Sequence, residues 1–227
     1  MNSQQRIIRS VIAACVVLAA LLTGQPVAAA SPDYSSFFEE PRFADSGWST
    51  CAPITWSADT RGMTATQSAR EIKRLRRVWS LWEQAGGPSA VYVGQEHLAY
   101  EPATYGLRAT DGSAAREHHV YIAFKTRREV SIFTGGAVGL AKPTLVFEGD
   151  KRIAGGMALM LRGYVTRQAR HDPKALLHVY AHELGHVLGL GHAQSRSNVM
   201  YPEIIGLTEL GFGDQTGIAR ITQPCRA

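Results

Sequence analysis

The sequence predicts a mixed α and β domain, and three observations carry that expectation. Short apolar or alternating runs at 53–58, 90–94 and 119–125 read as strands. Two longer stretches, about 65–85 and 172–188, show helical spacing together with their own start or stop signals. No internal repeat, low-complexity block or linker divides the chain.

Taken in order, the elements begin behind an irregular lead at 31–50 that contains Ser, Pro and Phe. Pro53–Ala58 (PITWSA) is the first strand. Ile72, Leu75, Val78, Trp79 and Trp82 then recur at helical spacing, and Gly86-Gly87-Pro88 stops the helix near residue 85. The basic run Arg70–Arg77 lies on this helix and reads as its solvated face, a polyanion site being the alternative. Ala90–Gly94 is the second strand, 95–117 is polar and turn-rich, and His119–Lys125 (HVYIAFK) is the third strand. His118 and His119, adjacent at its start, project to opposite faces. A short helix is expected over Arg127–Phe133. Val138–Phe147 and Gly156–Leu161 are two further strands around a turn at Glu148-Gly149-Asp150, the second being the expected rim strand of the site region. Asp172-Pro173 supplies an N-cap followed by proline at the first helical position, and Ala175–Leu188 runs on with no breaker but Gly185.

The first thirty residues read as an export leader. Arg6 and Arg9 precede an apolar stretch at Val11–Leu22, and Ala28-Ala29-Ala30 offers a cleavage site before Ser31. The apolar run is too short for the ~20 residues that span a bilayer, so no stable membrane anchor is expected. The mature chain, 31–227, has a single-domain length and is expected to be secreted and monomeric. Its net charge falls from +5 to +3, because the leader holds two arginines and no acids, and gives no support for nucleic-acid binding. Cys51 and Cys225 survive export, and an even pair in an oxidising compartment predicts a disulfide, with two independent thiols as the alternative.

Chemistry concentrates in His182-Glu183-Leu184-Gly185-His186-Val187-Leu188-Gly189-Leu190-Gly191-His192. Residues four apart share a helix face, so His182 and His186 can aim at one point. Gly189 can take positive φ at no steric cost and turn the chain back to deliver His192. Three imidazoles leave a fourth position open on a zinc ion, as hydrolysis requires. Glu183 is offset around the helix, where it can reach a water without ligating the ion. The five specified positions coincide by chance in roughly one chain in twenty thousand of this composition, which sets the reading apart from a helix that merely contains histidines. His178, one turn earlier on the same face, reads as a capped or solvent-reaching histidine, with a hydrogen-bond donor behind the ligands or a ligand to a second metal as the alternatives.

HELGHVLGLGH followed by Asn198-Val199-Met200-Tyr201-Pro202 resembles the metzincin zinc peptidases, with their H-E-x-x-H-x-x-G-x-x-H pattern and Met-turn. Within that clan it is most similar to the matrixins, in which the Met-turn methionine stands eight residues after the third histidine, as Met200 follows His192. Leu207-Thr208 and Asp214–Ile218 resemble the start of the matrixin C-terminal helix, with Asp214 as its expected N-cap. The strong likeness covers about 172–220. It implies an α+β metzincin-like domain with a twisted mixed sheet, an active-site helix, a Met-turn and a C-terminal helix, the catalytic domain running over 51–227. It implies Met200 as an apolar floor beneath the metal, Pro202-Glu203-Ile204 as one wall of the pocket beyond the scissile bond, and one catalytic Zn2+. Matrixins also carry structural zinc and calcium, but no ligand pattern for them is recognisable here. A cysteine that blocks the zinc is another family device, and Ser49–Pro53 lacks its motif. The expected activity is zinc-dependent endopeptidase action on a protein or peptide substrate, with Glu183 as general base. An exported binding protein on a degenerate scaffold and a zinc amidase acting on a cell-wall component are the alternatives.

Overall fold

His119–Lys125 is buried at every position, not only on alternate ones, because a strand in the middle of a covered sheet loses both faces to packing. The computed structural model describes residues 33–38, 43–146 and 152–225. The expected leader, its cleavage point after Ala30 and the turn at 148–150 lie outside them. β1 (Ile54–Asp59) leads into α1 (Ala65–Gln84) and then β2 (Ala90–Gln95). Thr64 caps α1, its hydroxyl accepting from Gln67 N while Gln67 Oε1 accepts from Thr64 N. A hairpin of β3 (Leu98–Glu101) and β4 (Gly106–Ala109) follows, then β5 (His119–Lys125), a 3-10 turn at Ser131–Gly135, β6 (Gly139–Val146) and β7 (Arg152–Leu161). Three helices complete the order: α2 (Arg162–His171), α3 (Pro173–Leu188) and α4 (Phe212–Ile221). Among the described residues, no helix is long and apolar enough to cross a membrane.

The sheet order is β2-β1-β5-β7-β6, with β6 the antiparallel edge. This corrects the rim-strand expectation for Gly156–Leu161. That segment belongs to β7, which is hydrogen-bonded on both sides, and the rim is β6. The composition explains the swap. β7 is buried continuously from Ile153 to Leu161, as an interior strand must be. β6 carries Lys142, Pro143 and Thr144, and a proline has no N–H to offer a second neighbour.

Two other elements were not legible. The polar stretch 95–117 holds the β3–β4 hairpin, whose strands are only four residues each. Its attachment is partly electrostatic: the buried Asp59 carboxylate accepts from Leu98 N and from Lys125 Nζ, which also donates to the Leu98 carbonyl. α2 buries only Val165, so its sequence carries almost no periodic signal. The expected short helix at 127–133 is the 3-10 turn, displaced to Ser131–Gly135.

Helices cover one face of the sheet. Val120, Ile122 and Phe124 of β5 pack there with Trp79 and Trp82 of α1 and with Leu184, Val187 and Leu188 of α3. On the other face Tyr121 and Ala123 meet Leu98, Val130 and Phe133. Two tryptophans then lock α3 at chosen heights: Trp82 Nε1 donates to the Ala181 carbonyl at 3.1 Å, and Trp48 Nε1 to the Val187 carbonyl at 2.9 Å. Those carbonyls bracket the stretch that carries His182 and His186. Cys51 and Cys225 form the expected disulfide.

Candidate metal centre

α3 starts and stops where its sequence dictates. The Asp172 carboxylate accepts from Ala175 N at 2.9 Å, and Pro173 occupies the first turn. At the other end Gly189 has φ of 107°, and Leu190 N returns to the Gly185 carbonyl. The chain therefore doubles back beside the helix end. His182, His186 and His192 are brought together, one ligand nitrogen from each lying within 4.8 Å of the others. Among the described residues, this is the one group of three or more His, Cys, Asp or Glu side chains placed to hold a metal ion. His118 and His119 take no part. His118 Nε2 donates to the Ala52 carbonyl, while buried His119 sits between the Thr55 and Ser57 hydroxyls.

Hydrogen bonds decide which nitrogens are free. His182 Nδ1 lies 2.9 Å from the Val199 carbonyl, and His186 Nδ1 lies 2.8 Å from the Leu190 carbonyl. A carbonyl can only accept, so each Nδ1 carries the proton and each Nε2 presents its lone pair. Burial holds His182 down to about 3 and His186 to about 4, and lowers His192 as well, so all three rings are neutral near pH 7. The two Nε2 atoms then face each other at 3.1 Å as acceptors. Two opposed lone pairs repel unless a cation lies between them. Two nitrogens on one tetrahedral zinc, each at ~2.05 Å, stand roughly 3.3 Å apart. The donor set fits zinc.

Behind the three histidines is a buried support whose hub is the Val199 carbonyl. It accepts from His182 Nδ1 and also from His178 Nε2 at 3.0 Å. The backbone N–H groups of Ile205, Gly206 and Leu207 converge on His178 Nδ1. His178 is thus a fully buried strut, not a solvent-reaching histidine. Asp214 fixes the same turn, its carboxylate accepting from Val199 N at 2.6 Å, Met200 N at 3.1 Å and Gly211 N at 2.8 Å. The expectation that Asp214 is the N-cap of the last helix is corrected. α4 starts at Phe212 with Gly211 as its cap, and Asp214 stands in its first turn. Met200 is buried against α3, where a Cβ on Gly185 would overlap its sulfur.

A further support comes from the N-terminal lead. Residues 33–38 run along the stretch that carries His192. Phe37 N donates to the Gly189 carbonyl, Gly191 N to the Ser35 carbonyl, and Ser35 Oγ to the His192 carbonyl at 2.7 Å. The Asp33 carboxylate accepts from Gln194 N, Ser195 N and Asn198 Nδ2. Asn198 Oδ1 in turn accepts from Gly213 N. The Phe37 ring meets the His186 ring edge-on, with centroids 5.6 Å apart. Asp33 and Asn198 are 165 residues apart, so no local pattern could have revealed the pair.

Glu183 completes the centre. It is almost wholly enclosed, and burial alone pushes its carboxyl up to about 8. A carboxyl in that state waits for a cation, since a nearby positive charge favours its ionised form.

A model of the Matrixin family, peptidase M10, matches residues 99–221. No curated protein matches the chain. Among solved structures, the chain is similar to the GM1-bound form of the ECX AB5 holotoxin at 12% identity and a TM-score of 0.41, over 76% of this chain and 80% of that one. The family match takes in more than half of the chain, from β3 to the end of α4, with the three histidines inside it: this chain belongs to the matrixin family of peptidases.

Proposed function

We propose that the protein is a secreted zinc-dependent endopeptidase. The observation that carries this reading is the convergence of three neutral imidazole nitrogens, together with a buried carboxyl, that of Glu183, one residue on from His182. His182, His186 and His192 would hold the zinc, which when bound would supply Lewis acidity toward water and toward the scissile carbonyl. Glu183 takes the proton of the attacking water and passes it to the leaving amine. His178, Asp214 and Asn198 orient the ligands through Val199 and keep the Met200 floor in place. An extended peptide adds to the free edge of β6, by the backbone pairing that exposed sheet edges offer. Pro202-Glu203-Ile204 walls the pocket for the side chain beyond the cleaved bond.

The test uses purified residues 31–227, with zinc measured and cleavage of casein and a mixed peptide library followed. Wild-type protein should bind one equivalent of zinc and cleave. Glu183→Ala should keep the zinc and lose roughly 10²–10⁴-fold in rate, and His182→Ala should lose the metal. Equal cleavage by wild type and Glu183→Ala sinks the mechanism. Stoichiometric zinc with no peptide cleaved sinks the peptidase reading, in favour of a binding protein or a cell-wall amidase.

A further inference from the structure

Gly139, the first residue of the rim strand β6, lies directly against Glu183. A Cβ added there would overlap Glu183 Oε1, and would stand 2.5 Å from Cδ and 2.7 Å from Cγ. Real Cβ atoms do not approach other atoms that closely. The backbone at Gly139 does not demand glycine, for it is not among the positive-φ positions. Space demands it, which is the usual meaning of a glycine in a strand beside a close neighbour.

Neither partner can retreat as a whole. Gly139 pairs with Met160 across the β6–β7 ladder, and the preceding Val138 carbonyl accepts from Leu161 N at 2.8 Å. The Glu183 backbone sits in α3, clamped by the tryptophan bonds to Ala181 and Val187. Only the glutamate side chain is free to yield. We infer that Gly139 is a positioning residue: its missing side chain seats the Glu183 carboxylate, so the rim strand and the general base form one fitted unit. The inference rests on Glu183 being the base. It also means that a peptide pairing with β6 is registered against the strand that sets the base's position.

Gly139→Ala tests this. Zinc should stay at one equivalent and KM should move little, while kcat falls by roughly 10²-fold, the scale of an ångström-sized misplacement. In a Glu183→Ala background the same substitution should change the residual kcat hardly at all, because the displaced group is gone. A crystal structure of Gly139→Ala should show the carboxylate shifted by about an ångström, with the three histidines in place. Unchanged kcat, an equal fall in the Glu183→Ala background, or an unmoved carboxylate would each overturn the inference. Should the single variant fail to fold, Gly139→Ala/Glu183→Ala decides. It should melt close to Glu183→Ala, and a double variant that also fails to fold refutes the steric argument. Wild-type protein that cleaves no peptide removes the peptidase reading and this inference with it. Wild-type cleavage with normal Gly139→Ala kinetics removes only this inference.

Discussion

Removing the Asp214 carboxylate should damage both the fold and the metal site, in amounts the geometry allows to be estimated. In Asp214→Ala the N–H groups of Val199 and Met200 lose their acceptor, and both residues are buried. An unsatisfied buried donor costs about 1–3 kcal/mol, so the pair costs about 2–6 kcal/mol. Gly211 N is partly buried and adds less. At about 2–4 °C per kcal/mol for a domain of this size, a loss of about 4 kcal/mol lowers the melting temperature by roughly 8–16 °C. Asp214→Asn keeps one acceptor oxygen but turns an amide donor toward backbone donors, and should fall between wild type and the alanine variant. The same carboxylate fixes the peptide whose carbonyl orients His182, so zinc affinity should drop by roughly 10–100-fold, the usual cost of losing a ligand's orienting partner. Urea melts on chelator-treated protein measure the first quantity, and competition with a chromophoric chelator the second. A stability loss under about 1 kcal/mol refutes the claim that these amides depend on Asp214. Lost stability with unchanged zinc affinity refutes the coupling through Val199.

Two more outcomes follow from burial and from the N-terminal support. Without metal, His182 and His186 hold out against protonation to about 3 and 4, whereas the unfolded chain takes up protons on them from about 6.5; stability is complete above that value and is lost as pH falls toward 4. Glu183 has the opposite sign: its folded pKa of about 8 lies above the ordinary 4.5, so metal-free stability also declines as pH rises between those values. Chelator-treated Glu183→Gln should therefore gain on wild type as pH rises from 5 to 8 in urea melts, and a pH-independent difference contradicts the buried carboxyl. Asp33→Ala should weaken zinc binding several-fold by loosening the 194–198 loop, read by the same chelator competition. Wild-type affinity in that variant would show that residues 33–38 merely lie beside the site.

The three-histidine cluster was legible because everything that makes it is local: a four-residue helical repeat, a capped start at Asp172-Pro173 and a positive-φ turn at Gly189. The strands at 54–59, 90–95 and 119–125 were legible for the same reason, each having enough alternating or apolar residues to declare itself. Pairing order was not. A continuous apolar run such as Ile153–Leu161 says that a strand is buried, but not which neighbours it has, and the rim was assigned to the wrong member of the β6–β7 pair. α2 escaped because a helix that buries a single valine has no periodicity to read. The place of Asp214 is not local information either, since an acid ahead of an apolar run resembles an N-cap whether it stands before the helix or in its first turn.

The deeper division lies between what binds the ion and what prepares the binders. Spacing alone puts two imidazoles on one face, but an imidazole binds metal through whichever nitrogen lacks the proton, and spacing does not choose it. Here the choice is made by carbonyls: Leu190 selects Nε2 of His186 from four residues away, and Val199 selects Nε2 of His182 from across the turn. Val199 is held by Asp214, and the neighbouring Asn198 by Asp33, so the carbonyl that orients His182 is tied to residues far away along the sequence. A local motif therefore points to the metal chemistry, while the support behind the three histidines depends on contacts 15 to 165 residues long. Proteins with identical ligand spacing can differ widely in zinc affinity for this reason alone, and the Asp33 and Asp214 variants separate the two contributions within one chain.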